Sequence, residues 1–225
     1  MISLSTSPPN DPLILVGDWF ADAMRKDVQR HPNAMTLATV DDASRPSARV
    51  ILIKHLSRSE GYATFYSHYE SRKAKELDTN VNAAGVIHWD KLGKQIRFEG
   101  CVARSPKQES DAYFATRPTE SQLNAWVSEQ SHPLTDLSIL ERRRRDKIQE
   151  LGLVAERFDS ATTSECGQVP RPKFWGGYRF WFSAIETWQE GKDRYHERLR
   201  YERDLKQDET SSYVTGPWTW QRLQP

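Results

Sequence analysis

Cysteine is nearly absent: the 225 residues hold two, Cys101 and Cys166. Neither sits in a Cys-x-x-Cys pair or a Cys/His cluster, which excludes a disulfide framework and a zinc ribbon and fits a reducing compartment. The six histidines never pair at a spacing of three or four. His196-Glu197-Arg198-Leu199-Arg200 begins like a zincin helix but has arginine where the second histidine must stand, so no metal is expected. Gly-x-Gly-x-x-Gly, the Walker loop and Gly-x-Ser-x-Gly are all missing, leaving dinucleotide-binding, P-loop and hydrolase readings without local support. No stretch approaches the roughly 18 apolar residues of a membrane span, and the N-terminus lacks a basic segment followed by an apolar one, so a soluble cytoplasmic protein is expected. An excess of one charge is missing too. Lys+Arg total 32 against Asp+Glu 31, a formal charge of +1, which argues against a surface built for nucleic acid or anionic lipid. The run Arg142–Arg145, flanked by Glu141 and Asp146, reads as a solvated helix face.

What remains is a foldable chain with 37% hydrophobic residues and eight each of Trp, Tyr and Phe, long enough for one domain. Residues 1–10 lack periodicity and read as a flexible arm. Asp11-Pro12 looks like an N-cap with proline at the first helical position, and Leu13, Val16, Phe20 and Met24 continue a helix over about 12–28. Short apolar runs at 35–40, 50–53 and 62–66, separated by turn residues, predict a three-stranded meander. Ser71 is placed to cap a helix ending near Asn80, and 83–89 and 95–102 read as strands around Lys91-Leu92-Gly93-Lys94. Ser105-Pro106-Lys107-Gln108 has the form of a capping box for a helix to Arg117, Thr119-x-x-Gln122 restarts one after Pro118, and a charged helix follows over 136–157. After a linker at 160–172, strands are expected at 174–182, 185–188, 194–202 and 218–222, with 204–217 a polar surface loop. The pattern predicts an α+β chain whose evenly spaced short strands suggest a barrel.

Several residue sets could carry chemistry. Arg49 and Lys54 end an apolar strand, and their separation of five would place them on opposite faces, able to serve two anions. Ser71-Arg72-Lys73 puts cations at a helix start, where free backbone N–H groups favour phosphate. Tyr113 and Arg117 share a helix face and Ser121 opens the next helix, so two hydroxyls and a guanidinium can form a phosphate pocket. Arg194, His196 and Arg198 alternate along an expected strand and would project to one face, gathering positive charge around one titratable ring.

Asn33-Ala34-Met35, Arg49–Lys54, Phe65-Tyr66 with Ser71-Arg72-Lys73, Gln95–Gly100, Tyr113-Phe114-x-x-Arg117-Pro118-x-x-Ser121-Gln122, Ala125–Ser128 with Gln130-Ser131, Phe174-Trp175-Gly176-Gly177, Trp188-Gln189 and Arg194-x-His196-x-Arg198 together resemble the pyridoxamine 5′-phosphate oxidase family, in order and spacing, over about residues 30–225. The resemblance implies an α+β, mainly antiparallel split β-barrel flanked by helices, one domain over 11–225 in which 30–159 forms barrel and helices and 173–225 supplies strands completing the site. It implies a homodimer with FMN at the subunit interface. FMN contacts would fall on Arg49, Val50, Ile51, Leu52, Ile53, Lys54, Tyr66, Ser67, Arg72, Lys73, Gln95, Gln130, Ser131, Trp188 and Arg198.

By the same resemblance, Lys54, Tyr113, Arg117 and Ser121 would hold the substrate phosphate, with Arg194 and His196 over the pyridine ring as catalytic residues. The reaction implied is oxidation of pyridoxine or pyridoxamine 5′-phosphate to pyridoxal 5′-phosphate by O₂, releasing hydrogen peroxide and, from the amine, ammonia. This sequence has Tyr195, Ser67, Thr187 and Asn124 where the family usually has leucine, threonine, an aromatic residue and glycine. Two other readings share the barrel. One is a related FMN oxidase of phenazine precursors, which needs no phosphate pocket; the other is a non-catalytic flavin- or pyridoxal-phosphate-binding protein.

Overall fold

A computed structural model describes residues 7–26, 28–153, 169–209 and 212–225. They form helices α1 (Pro12–Arg25), α2 (Arg72–Thr79), α3 (Lys107–Ala115), α4 (Thr119–Val127) and α5 (Ser138–Glu150). The strands are β1 (Ala34–Val40), β2 (Pro46–Leu52), β3 (His55–Ser57), β4 (Tyr62–His68), β5 (Asn82–Trp89), β6 (Lys94–Arg104), β7 (Trp175–Gln189), β8 (Glu197–Glu202), β9 (Leu205–Gln207), β10 (Tyr213–Thr215) and β11 (Thr219–Leu223). One sheet runs in the order β11-β8-β7-β6-β5-β1-β2, with β4 on β7 and β3 on β4, while β9 and β10 pair separately. The described residues of 1–65, 76–104 and 178–225 make one compact unit, and those of 66–75 and 105–177 a second.

In the first unit, α1 starts where the sequence says it should. The Asp11 carboxylate accepts from the Leu13 N–H at 2.9 Å, satisfying an orphan donor just after Pro12, which has no N–H to satisfy. The helix buries Leu13, Leu15, Val16 and Trp19, and Phe20 meets Trp89 edge to face at 5.2 Å. Long antiparallel strands supply most of the core, with Ile96, Phe98, Phe180, Phe182 and Leu199 fully buried. Between β5 and β6, Gly93 takes a left-handed φ of 56°, a conformation open to glycine without Cβ strain. The second unit packs Phe114, Leu123, Ala125, Val127, Ile148 and Trp175 into its own cluster.

Several expectations are corrected. The meander ends after two strands, because among the described residues β2 pairs with β1 alone and the chain turns at Ile53 to start the β3–β4 hairpin. The strands expected at 174–182 and 185–188 are one strand of 15 residues, β7; its register against β6 shifts between Glu99 and Gly100, and this bulge produces the apparent break in alternation. Residues 205–207 and 213–215 form a hairpin inside the supposed loop, with Tyr213 buried.

Ser105 does not build a capping box. Its N–H donates to the Gly177 carbonyl, its hydroxyl donates to Glu109, and α3 starts without a side-chain cap. Ser71 donates its hydroxyl to the His68 carbonyl and accepts from Lys73. At the arm's end, Pro9 is tied down through its carbonyl, which accepts from the Tyr201 hydroxyl. Residues 1–6, most of the linker at 160–172, the last residues of the 136–157 helix and Cys166 lie outside the described residues.

Candidate functional site

The second unit holds a guanidinium on an aromatic platform. β4 delivers Tyr66, α3 delivers Tyr113, and β7 begins with Trp175. The Tyr66 and Tyr113 rings stack at 3.8 Å and 14°, and Trp175 lies parallel to Tyr113 within 7°. Arg117 lies over the Trp175 ring at 4.5 Å and the Phe114 ring at 5.5 Å. Its Nη1 is buried with no hydrogen-bond acceptor among the described residues. Burial works against the charged form of Arg117, so an anion placed there would relieve a desolvation penalty. Gln122 holds the corner between the helices, donating through Nε2 to the Phe114 carbonyl at 2.9 Å. That bond fixes the end of α3 against α4, and with it the residues on either side of Pro118: Arg117 before it, Ser121 in the first turn after it.

A second polar cluster lies in the same unit. The buried Lys73 ammonium donates to Ser67 Oγ at 2.8 Å, Ser71 Oγ at 3.1 Å and Gln130 Oε1 at 2.8 Å. Next to Gln130, Ser131 takes a left-handed φ of 73°, which costs a non-glycine residue conformational energy and is a hallmark of functional turns. His68 is buried and stacks on Phe174. Burial, then repulsion by Lys73 and Arg117, pulls its pKa down to about 4. Sequence reading missed this residue; its place one step after Ser67 was the available signal.

The first unit carries a different set. Gln95 on β6 is the cross-strand partner of Trp188 on β7, and Trp188 of Arg198 on β8, so the three side chains share one face of the sheet. His196 packs on the Trp188 ring at 4.7 Å. Its Nδ1 accepts from the Gly191 N–H at 3.3 Å, a bond that puts the proton of the neutral ring on Nε2. Arg198 donates to Glu186 at 2.8 and 3.1 Å and to the Gln224 carbonyl. Glu186 also accepts from Arg97 at 3.1 Å. Arg49 is equally committed: it donates to Thr39, Ser47, the Leu37 carbonyl and the buried Glu76.

Two expected arrangements fail. Arg194, His196 and Arg198 do not alternate along one strand, since β8 starts at Glu197. Asp193 and Arg194 are left-handed, with φ of 54° and 68°, and Tyr195, at φ −77° and ψ 70°, centres an inverse γ-turn closed by the His196 N–H on the Arg194 carbonyl at 2.9 Å. The alternating cations mimicked a strand where the chain turns. Lys54 lies beyond the end of β2, exposed, its N–H on the Thr64 carbonyl, so strand parity does not relate it to Arg49. Among the other expected contacts, Val50 is exposed and Ile51 and Ile53 are buried, and Arg72 opens α2 beside Lys73.

Residues 20–146 match the pyridoxamine 5′-phosphate oxidase family, and residues 175–225 match the pyridoxine 5′-phosphate oxidase C-terminal dimerisation region. This chain belongs to that family. A pyridoxine/pyridoxamine 5′-phosphate oxidase of Rubrobacter xylanophilus is 42% identical over 216 residues, 96% of this chain and 87% of that protein. One of Burkholderia thailandensis is 42% identical over 196 residues, 87% and 83% of the two chains. Among solved structures, PhzG from Burkholderia lata 383, in complex with tetrahydrophenazine-1-carboxylic acid, superposes with a TM-score of 0.82 at 29% identity, covering 100% of this chain and 98% of that one. A pyridoxamine 5′-phosphate oxidase-related, FMN binding protein from Nostoc punctiforme shares the fold, with a TM-score of 0.65 at 12% identity over 93% and 96% of the chains. The α+β, mainly antiparallel split-barrel class expected from the sequence therefore stands, and the chain is an oxidoreductase by family with a C-terminal dimerisation region.

Proposed function

We propose that this protein oxidises pyridoxine 5′-phosphate and pyridoxamine 5′-phosphate to pyridoxal 5′-phosphate, using FMN held at the interface of a homodimer and O₂ as acceptor. The observation that carries the reading is Arg117: a guanidinium laid on Trp175, with a buried Nη1 that has no acceptor. A group so placed suits a substrate phosphate, and Tyr113 and Ser121, one turn away on either side, are hydroxyl donors of the right kind. Lys54 is assigned to the same phosphate.

The donor set also fits FMN. Lys73 with Ser67 and Gln130 offers a cation, a hydroxyl and an amide for the ribityl phosphate and flavin edge, and the Gln95–Trp188–Arg198 row adds an amide, an aromatic face and a guanidinium. Arg49–Lys54, Tyr66, Arg72 and Ser131 complete the proposed contacts. Bound FMN would supply the two-electron chemistry, with peroxide formed from O₂. The chain's own contribution is to hold the substrate carbon in line, a matter of orientation worth on the order of 7 kcal/mol in well-aligned cases. Arg194 is assigned to orient the substrate ring. His196, with its proton on Nε2, is assigned to donate a hydrogen bond to the substrate's polar substituent or carry its proton.

The superposition on PhzG favours a second reading, oxidation of a carboxylated tricyclic ring, since Arg117 can also meet a carboxylate. Aerobic assays of peroxide release with pyridoxamine phosphate, pyridoxine phosphate, unphosphorylated pyridoxamine and a dihydrophenazine carboxylate separate the two. Turnover confined to the phosphorylated vitamers is the expected result. Peroxide from the phenazine compound alone, or equal turnover with and without the phosphate, would overturn the assignment.

A further inference from the structure

Lys94 opens β6 one residue before Gln95, so alternation sends the two side chains to opposite faces of the sheet. Lys94 is only 5% exposed. Its ammonium lies 4.7 Å from the centre of the Trp19 ring, and among the described residues it has neither an ion pair nor a hydrogen bond. Asp22 attracts it through space, but that carboxylate is already held by Arg25 at 2.5 Å and Lys26 at 3.0 Å. Burial lowers the pKa of Lys94 below the ordinary lysine value, and the Lys26 charge adds to the effect. The ammonium lines a cavity of about 460 Å³ between α1 and the start of β6, with Leu15, Trp19 and Ala21 as its apolar wall and the exposed Asp18 beside them.

A buried cation without an anion is an unfavourable state, and an aromatic face replaces only part of its lost hydration. The volume lies within the range of small-ligand sites, roughly 300–1,000 Å³. We propose that this cavity binds a small aromatic monocarboxylate, its carboxylate on Lys94 and its ring against Trp19 and Leu15. Arg25, Lys26 and Lys94 line the cavity with Asp18 and Asp22, three cations against two carboxylates with Asp22 held by the first two cations, so the lining carries one net positive charge and matches a singly charged ligand better than the dianion of a phosphate ester. The site is on the reverse of the sheet from the Gln95–Trp188–Arg198 row. Lys94 pairs with Gln189 as Gln95 pairs with Trp188, so an occupant would touch the back of the strand segment that carries that row.

The test is ¹⁹F NMR of 4-fluorobenzoate against the purified flavin-loaded protein, with benzoate, benzyl alcohol and inorganic phosphate as competitors. Saturable binding displaced by benzoate, but not by the alcohol or phosphate, is expected. Lys94→Met should weaken it about tenfold or more, the loss of one hydrogen bond to a charged group, while Arg117→Met leaves it within about twofold. Because Lys94→Met removes an unpaired buried charge, its Tm in the absence of probe should equal or exceed that of the parent. Four results would overturn the proposal: no saturable binding at millimolar probe, binding unchanged in Lys94→Met, binding lost in Arg117→Met, or a Lys94→Met protein that unfolds or melts well below the parent. The last would make Lys94 a cation the core requires.

Discussion

A set of arginines in the first unit and Arg117 in the second are held in opposite ways. In the first, Arg49 closes on Glu76, Arg97 and Arg198 share Glu186, and Arg200 bridges Glu99 and Glu202. In the second, Arg117 rests on aromatic rings with one nitrogen unsatisfied. A guanidinium matched to a buried carboxylate has most of its field cancelled and most of its donors spent, so its main effect is to fix strands and side chains. A cation held by neutral groups keeps its attraction for an incoming anion. Residue type alone does not separate these roles: Arg49, Arg198 and Arg117 all match family positions expected to meet a phosphate or flavin, yet only Arg117 is left with a buried, unused donor.

The largest effect expected from this contrast is on stability in the first unit. Glu186 is 3% exposed at its side chain and serves both Arg97 and Arg198. Glu186→Gln would leave two guanidinium groups facing a neutral amide. Breaking a buried pair costs about 3–5 kcal/mol, and partial exposure of both arginines points to the lower end, near 3 kcal/mol. In a chain of this size that is roughly 6–12 °C of Tm, readable by calorimetry. A loss below about 1 kcal/mol would show that the network is no stronger than a surface pair and would dissolve the contrast.

Next in size is the acid limb of stability in the second unit. Unfolded, His68 takes up its proton near the ordinary value of 6.5; folded, burial and its two cationic neighbours delay this to about 4. Between those values the unfolded chain binds more protons, so stability falls as pH drops from about 6.5 to about 4 and is fully present above that window. The contribution is on the order of 2–3 kcal/mol. His68→Gln should flatten this part of the pH–stability curve, measured by urea unfolding at pH 7 and pH 4.5. An unchanged slope would mean that His68 is not held neutral in the folded state.

How far these features could be read from the sequence depends on the range over which each is decided. The Asp11-Pro12 start of α1 and the Gly93 turn follow from one or two residues and their backbone preferences, and the structure has both. Ser105 looked equally local, but the Gly177 carbonyl and Glu109 compete for its donors, and no window around Ser105 contains Gly177. The single long β7 was hidden because its bulge breaks the two-residue period. Arg194-x-His196-x-Arg198 kept that period through a γ-turn, since alternation of side-chain type does not require extended backbone. At the sites, family motifs marked Arg49, Lys73, Arg117 and Arg198. Glu76 and Glu186, which decide what two of those arginines can do, went unmarked because their partners lie 27 and 12 residues away.

The smallest of the expected effects tests function directly and sharpens the contrast. If the unsatisfied donor of Arg117 is spent on a substrate phosphate, Arg117→Met should raise KM for pyridoxamine phosphate by about 10–100-fold, the value of one hydrogen bond between charged groups at 1.5–3 kcal/mol, with kcat within a few-fold. Arg97→Met, which removes a compensated guanidinium from the other unit, should lower Tm and leave KM nearly unchanged. Arg194→Ala should lower kcat more than it raises KM, because an orienting residue acts mainly as the reaction proceeds. Steady-state peroxide release gives all three comparisons in one assay. If Arg97→Met raised KM as much as Arg117→Met, matched and unmatched cations would be contributing alike to anion binding. The difference in their partners would then carry no functional meaning.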